Sequence, residues 1–390
     1  MSEKSQSVVI VGGAIIGSFV AYFLRKEGFL GSIKVVEKDS TYQYSSTALS
    51  AASVRTQFGC PFNIGMSLFG VDLLKNIKSH FGEDAEIGFD ERGYLMLGSH
   101  QAIDSQRDNA LMQREQGASI DILTPGEALA RWPWLNVEDI GIATYGCANE
   151  GWFDAWTLLQ LVRREARKLG AEYVNGDVTA IDSLGEKVVG VRLADGTAIP
   201  CDWCVNAAGP AGGQVASLLD IKIPVEPRKR TIFHIKTPVS GAGFPMLFDN
   251  SGLYIRPEGE GFIVGISPDE ARDPHPGDDF EPDHYLLEEV LWEKLAHRIP
   301  AMEQLRLQRA WAGHYEMNLL DHNGIVGAHD VMKNFLIATG FSGHGVMHSP
   351  ATGRGIAELI VHGRYTSLDL SPLGYERIRD NKPIVESIVY

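Results

Sequence analysis

The sequence predicts an α/β protein in which a Rossmann-like, doubly wound domain is interleaved with an α+β domain built on a mostly antiparallel sheet. Three observations predict it. VVIVGGAIIG (Val8 to Gly17) sets a buried apolar run, a glycine loop and the start of a helix in direct succession. FLIATGFSGHGVMHSPATGRGIAELI repeats strand, glycine loop and helix near the other end of the chain. From Val225 the texture between them changes to extended segments and hairpins.

The elements follow in order. Ser7 to Val11 is a continuous apolar run suited to a strand buried on both faces. Gly17, Val20, Ala21 and Leu24 recur at helical spacing, so Gly17 to Lys26 is a helix, ended at Gly28. Ile33 to Glu37 is the next strand, completing a βαβ unit with a right-handed crossover. Thr124 and Glu127 form a capping box opening a short helix that Pro133 stops. Asp154 is the N-cap of a helix running to about Lys168. AEYVNGDVTAID, KVVGVRLADG and CVNAAG read as strands. LYIRPEGEGFIVG is a hairpin turning at Pro257 to Gly261. Phe335 to Thr339 is a buried strand, and Pro350 to His362 a helix. The chain of 390 residues divides into a discontinuous nucleotide domain (1–88, 150–222 and 312–368), a substrate domain (89–149 and 223–311) and a tail (369–390).

Composition narrows the function classes. The formal net charge of -15 repels phosphate backbones and anionic lipid, which argues against nucleic acid as a partner. Four cysteines give no disulfide framework, and CDWC (Cys201, Cys204) lacks the second pair that a zinc site needs. Val8 to Leu24 is uncharged, but it is short for a membrane span and has glycines where a turn would lie. MSEKSQS has no features of a signal or transit peptide, so a cytoplasmic location is expected. His344 and His348 have i, i+4 spacing, but no acid intervenes and no metal is expected.

Against G-x-G-x-x-G, the loop Gly12, Gly13, Ala14, Ile15, Ile16, Gly17 keeps the turn and packing glycines and puts Ala14 at the phosphate-approach position. Glu37 follows Gly17 by 20 residues (37 − 17), where an acid accepts hydrogen bonds from ribose hydroxyls. The second loop (Gly340, Gly343, Gly345) and its helix N-terminus favour negative charge. A reduced flavin acquires such charge at its N1/C2=O edge, whereas nicotinamide has no comparable need. The predicted cofactor is FAD.

VVIVGGAIIG with Glu37, YSSTALSAASVR, VNAAGPAG, RAWAGHYEMNLLDHNGIVG and FLIATGFSGHG together resemble the FAD-dependent D-amino-acid oxidase superfamily, which includes sarcosine oxidase, glycine oxidase and dimethylglycine dehydrogenase. RTQFGCPFNIGMSLF and the stretch from WAGHYEM to ATGFSGHG look closest to a narrower mitochondrial branch linked to assembly of respiratory complex I. The resemblance implies that Gly12, Ala14 and Gly17 face the pyrophosphate and Glu37 with Lys38 the adenosine ribose. It implies Ser45, Ser46 and Thr47 at the flavin diphosphate or ring, the Val178 backbone at adenine, and Ala208 and Gly209 at the nucleotide. Gly343, His344 and Gly345 would cradle the pyrimidine end, and His314 and Tyr315 would lie over the substrate side.

Departures from the family pattern carry expectations of their own. Ser46-Thr47-Ala48-Leu49 lacks the histidine that carries flavin in dimethylglycine dehydrogenases, and Gly313 stands where sarcosine oxidases have the linking cysteine. Non-covalent FAD is expected. Tyr254 replaces the oxygen-activating lysine of sarcosine oxidases, which favours a dehydrogenase passing electrons to a quinone or an electron-transfer flavoprotein. Met347 replaces a carboxylate-holding lysine, leaving Arg55 as the first candidate clamp and Arg256 as the second. The expected reaction is hydride transfer from the carbon beside nitrogen in an N-substituted or D-amino acid, with hydrolysis of the imine. A 2-hydroxy-acid dehydrogenase and a flavin-containing assembly protein without turnover are the alternatives.

Overall fold

The structure, a computed structural model, describes residues 6–386. Ser7–Val11 lies inside a six-stranded sheet, between Trp203–Asn206 and Ser32–Glu37, in parallel register with both. Burial on both faces explains its uninterrupted apolar sequence. Ala171–Asn175 extends one edge, and Phe335–Thr339 then Ile325–Ala328 extend the other. Only the last of these runs antiparallel. A single strand therefore separates Ser7–Val11 from Phe335–Thr339. Because both are parallel to that strand, their glycine loops leave the same edge of the sheet side by side.

The helices behind those loops, Ile15–Lys26 and Gly345–His362, pack directly on one another. Gly353 permits the crossing, because a Cβ there would collide with the Phe19 backbone. The capping box of Thr124 and Glu127 and the Asp154 N-cap are both present, on helices Pro125–Arg131 and Ala155–Lys168. The helix expected from Pro350 begins five residues earlier, at Gly345; Pro350 cannot donate to the Val346 carbonyl, which instead accepts from Ser349 Oγ at 2.8 Å.

A second, eight-stranded sheet stands over the first loop edge. Its order is Arg306–Asn318, Val225–Lys236, Gly261–Gly265, Tyr254–Glu258, Met246–Phe248, Tyr94–Ser99, Ile140–Ala148, Ser119–Leu123. All pairings are antiparallel except Met246–Phe248 with Tyr94–Ser99. The strand Arg306–Asn318 runs through residues 311 and 312, where the sequence division was drawn. The final residues of the expected 369–390 tail lie outside the described residues.

Val8 to Leu24 is strand, turn and helix, and among the described residues no helix is long and apolar enough to cross a membrane. Cys201 and Cys204 are free and buried. Burial pushes the Cys201 thiol up to about 12 and Cys204 well above its usual value. Both thiols are therefore protonated near neutral pH, the form that is neither nucleophile nor metal ligand.

Candidate active site

A cavity of about 1210 Å³ runs from the first glycine loop to the second, under the roof sheet. At its first end, Gly12 has φ +99°, and a Cβ there would strike the Ala207 carbonyl. Only glycine fits. Ala14, by contrast, is the helix N-cap with φ -69°, a backbone any residue adopts, which is why alanine serves where the fingerprint has glycine. Its helix has no side-chain cap and no acid in the first turn, so the positive end faces the cavity through Ala14, Ile15 and Ile16. Gly13 and Gly17 are packing positions: a Cβ on the first would crowd Glu37, and on the second would meet the Gly12 carbonyl.

Glu37 closes the second strand with Oε2 accepting from Gly13 N–H (2.8 Å) and Oε1 from Asp39 N–H (2.9 Å). The two bonds fix the carboxylate and leave lone pairs on the cavity side. Lys38, Ser45, Ser46, Thr47, Ala208 and Gly209 line the same cavity. Ser46 Oγ donates to the His314 carbonyl at 2.7 Å, joining this segment to the roof. Val178 is not part of the wall; it begins the strand Val178–Leu184 of a separate three-stranded sheet and packs on an apolar cluster.

The second end repeats the design. Gly343 has φ +100°, and a Cβ there would lie 2.6 Å from the Tyr315 ring. Helix Gly345–His362 also starts without a side-chain cap or early acid, and Gly343, Gly345 and Val346 line the cavity. Two helix N-termini, neither with an acid in its own first turn, thus face one space. They fit the pyrophosphate of a dinucleotide at one end and an anionic reduced ring edge at the other.

Gly340 does not contribute its N–H to this cradle. Glu316 Oε2 accepts it at 2.9 Å and accepts Thr339 Oγ at 2.8 Å. Burial pushes the Glu316 carboxyl up to about 7 against these bonds. Glu316 was missed in the sequence, because RLQRAWAGHYEMN carries several polar residues and nothing in the pattern sets this acid apart.

Behind Tyr315 lies a group of aromatic and cationic side chains. Arg55 is buried with its guanidinium 4.1 Å from the Phe58 ring centre. Its Nη1 donates to the Gln57 carbonyl at 2.5 Å and its Nη2 lies 3.3 Å from His344 Nε2, so this cation is engaged. It and His344 stand behind the cavity wall rather than in it. Burial, and then the Arg55 cation, hold His344 well below its ordinary value. The neutral ring accepts from arginine through Nε2, which puts the proton on Nδ1. Glu150, fully buried, accepts from Thr56 N–H (2.7 Å), Thr56 Oγ and Gln57 Nε2 (2.9 Å), fastening the residues that follow Arg55. Burial pushes this carboxyl, too, up to about 7. Desolvation holds the Tyr254 and Tyr315 phenols above their usual value, so both are neutral donors.

Two expected contacts, those of Arg256 and Met347, are placed otherwise, whereas His314 and Tyr315 both line the cavity. Arg256 donates through Nε and Nη2 to the Ala51 carbonyl (3.0 and 2.8 Å) and through Nη1 to Pro257 O and Glu258. It ties the hairpin to the 51 segment and is engaged as a strut. Met347 is buried in the apolar core between helices. His314 and Tyr315, adjacent on one strand, point to opposite faces. His314 turns to stack on Phe280 (4.0 Å, 15°) with Nε2 2.7 Å from the Asp279 carbonyl. His348 contacts Ser67 Oγ at 3.2 Å, and among the described residues no group of side chains could hold a metal.

The geometry defines a flavin-dinucleotide oxidoreductase of the interleaved Rossmann-and-roof class. Residues 7–359 match the family FAD dependent oxidoreductase, and the chain belongs to that family, whose cofactor is FAD. It is 41% identical to FAD-dependent oxidoreductase domain-containing protein 1 of Xenopus laevis, over 99% of this chain and 85% of that one. Human mitochondrial sarcosine dehydrogenase is 24% identical over 93% of this chain and 40% of its own length. The L-proline dehydrogenase of P. horikoshii superposes with a TM-score of 0.85 at 28% identity, over 98% of this chain and all of that one. Relatives named as mitochondrial do not fit the plain cytoplasmic location expected from the sequence.

Proposed function

We propose that this chain oxidises the C–N bond of a carboxylate-bearing amine, a secondary or tertiary N-substituted amino acid or a D-amino acid. The observation that carries the reading is Arg55: a buried cation held against neutral His344, next to the loop that cradles the flavin's pyrimidine edge. Arg55 would bind the substrate carboxylate, and Tyr315 would close the site above it. Bound there, FAD would supply the hydride acceptor. With the substrate amine bound in its neutral form, the C–H hydrogen would leave with its electron pair as hydride while the nitrogen lone pair forms C=N⁺. Water would then add to that carbon, releasing carbonyl, amine and a proton.

Two observations support the finer assignments. Gly313 carries no thiol at the position of a cysteinyl link, and a Cβ there would lie 2.8 Å from Leu49 Cβ, which supports an FAD held without a covalent bond. Tyr254 offers no cation where oxidases carry lysine, which favours transfer to a quinone or an electron-transfer flavoprotein over oxygen. Anaerobic mixing with a panel of N-methyl, N-carboxyalkyl and D-amino acids tests the proposal. Bleaching of the flavin band by a member supports it; a band unchanged across the panel overturns it.

A further inference from the structure

Arg230 lies on strand Val225–Lys236 directly across from Gly313. Cross-strand partners project to one face, so Arg230 shares the face of Gly313 and Tyr315, away from His314. Its guanidinium carbon is 5.3 Å from the Tyr315 ring centre, and Tyr315 lines the cavity. Nη1 and Nη2 pair with the two Asp273 oxygens at 2.8 and 2.9 Å, and Nη1 also reaches the Lys229 carbonyl at 2.8 Å. Nε is buried with no hydrogen-bond partner.

The counter-ion is not part of the sheet. Asp273 belongs to the segment 266–285, which is irregular apart from one short turn at Glu270–Arg272 and contributes Asp278, Asp279 and Phe280 to the cavity wall. Side chains of Arg230 and Asp273 are 10% and 15% exposed, so the pair is shielded. Neither is itself in the cavity wall, which Tyr315 and residues 277–281 of the same segment line beside it. A guanidinium paired two-pronged with a carboxylate can exchange it for another carboxylate without change of geometry. Tyr315 links the two cations: Arg230 lies against its ring, and Gly343, packed on the same ring, precedes the His344 that Arg55 contacts.

We propose that Arg230 is a specificity-determining residue that receives a second carboxylate of the substrate, displacing Asp273. The preferred substrate class is then a secondary amine bearing two carboxylates, an N-carboxyalkyl amino acid, with Arg55 taking one carboxylate and Arg230 the other. This rests on the amine-oxidation reading, and its test uses probes that cannot be oxidised. Glutarate has the spine of an N-carboxymethyl amino acid with CH₂ in place of NH; pentanoate lacks its second carboxylate.

Binding to the FAD-loaded protein is read from the perturbation of the flavin spectrum. Glutarate is expected to bind roughly tenfold tighter than pentanoate, the worth of one charge-assisted pair. Arg230→Gln removes the difference and leaves pentanoate binding intact, whereas Asp273→Asn, by freeing the guanidinium, tightens glutarate severalfold. If both variants weaken the two probes alike, the pair only tethers the strap and the proposal fails. It fails also if Arg230→Gln leaves the preference unchanged, while the amine-oxidation reading stands on pentanoate binding and its loss in Arg55→Gln. Absence of binding by either probe in the unmodified protein overturns both. Asp273→Asn keeps the test decisive if Arg230→Gln does not fold.

Discussion

Arg55 and His344 are 289 residues apart in sequence, and Arg55 Nη2 lies 3.3 Å from His344 Nε2. The contact joins a buried cation of the N-terminal third to the N-cap of the helix behind the second glycine loop. It ties the proposed substrate anchor to the flavin cradle, so substrate position and ring position are set by one contact. The predictions below follow from this linkage.

Arg55→Gln should raise KM for a carboxylate-bearing amine by roughly 100-fold, the loss of a two-pronged charged pair, while FAD remains bound. Steady-state kinetics and the flavin spectrum check it together. Unchanged KM contradicts the anchor.

Gly343→Ala places a methyl 2.6 Å from the Tyr315 ring on a backbone at φ +100°. The strain is on the order of 1–3 kcal/mol. FAD affinity should fall roughly tenfold or more, measured by equilibrium dialysis, with the circular dichroism of the chain retained.

Glu316 sets a pH dependence. Its folded-state carboxyl is raised to about 7 from an ordinary 4.5, so the folded chain binds the proton more tightly than the unfolded chain. The stabilising contribution is complete below about pH 4.5 and is lost as pH rises towards 7, a difference on the order of 3 kcal/mol. Glu316→Gln should therefore gain stability over the parent protein at pH 8 relative to pH 5, in denaturant titrations at the two pH values. A gap between the two proteins that does not move with pH contradicts the assignment.

Tyr254→Lys would put a cation where the parent protein has a neutral phenol. Oxygen should then reoxidise the reduced flavin at least about tenfold faster, because the charge stabilises developing superoxide. Stopped-flow mixing of reduced protein with oxygenated buffer measures it.

Much of this was legible because it is local. Ser7–Val11, the Thr124–Glu127 box, the Asp154 cap and Phe335–Thr339 are written in short-range pattern, and each is where its residues place it. The helices Pro61–Lys75 and Ile103–Glu115 were not. The first has apolar residues on every side and is largely buried, and the second is polar with two buried residues, so neither shows a single apolar stripe. At the site, the two glycine loops could be read from backbone requirements, whereas Arg230, Glu316 and Glu150 could not. Their roles depend on what the strand register and the 266–285 strap bring opposite them, which no spacing encodes.

The central claim is that both ends of the chain close on a single, non-covalently held FAD. The most direct test is acid precipitation of the purified yellow protein followed by assay of flavin in pellet and supernatant. Equimolar free FAD in the supernatant is the predicted result. Colourless protein that FAD cannot reconstitute, or flavin retained in the pellet, would contradict it.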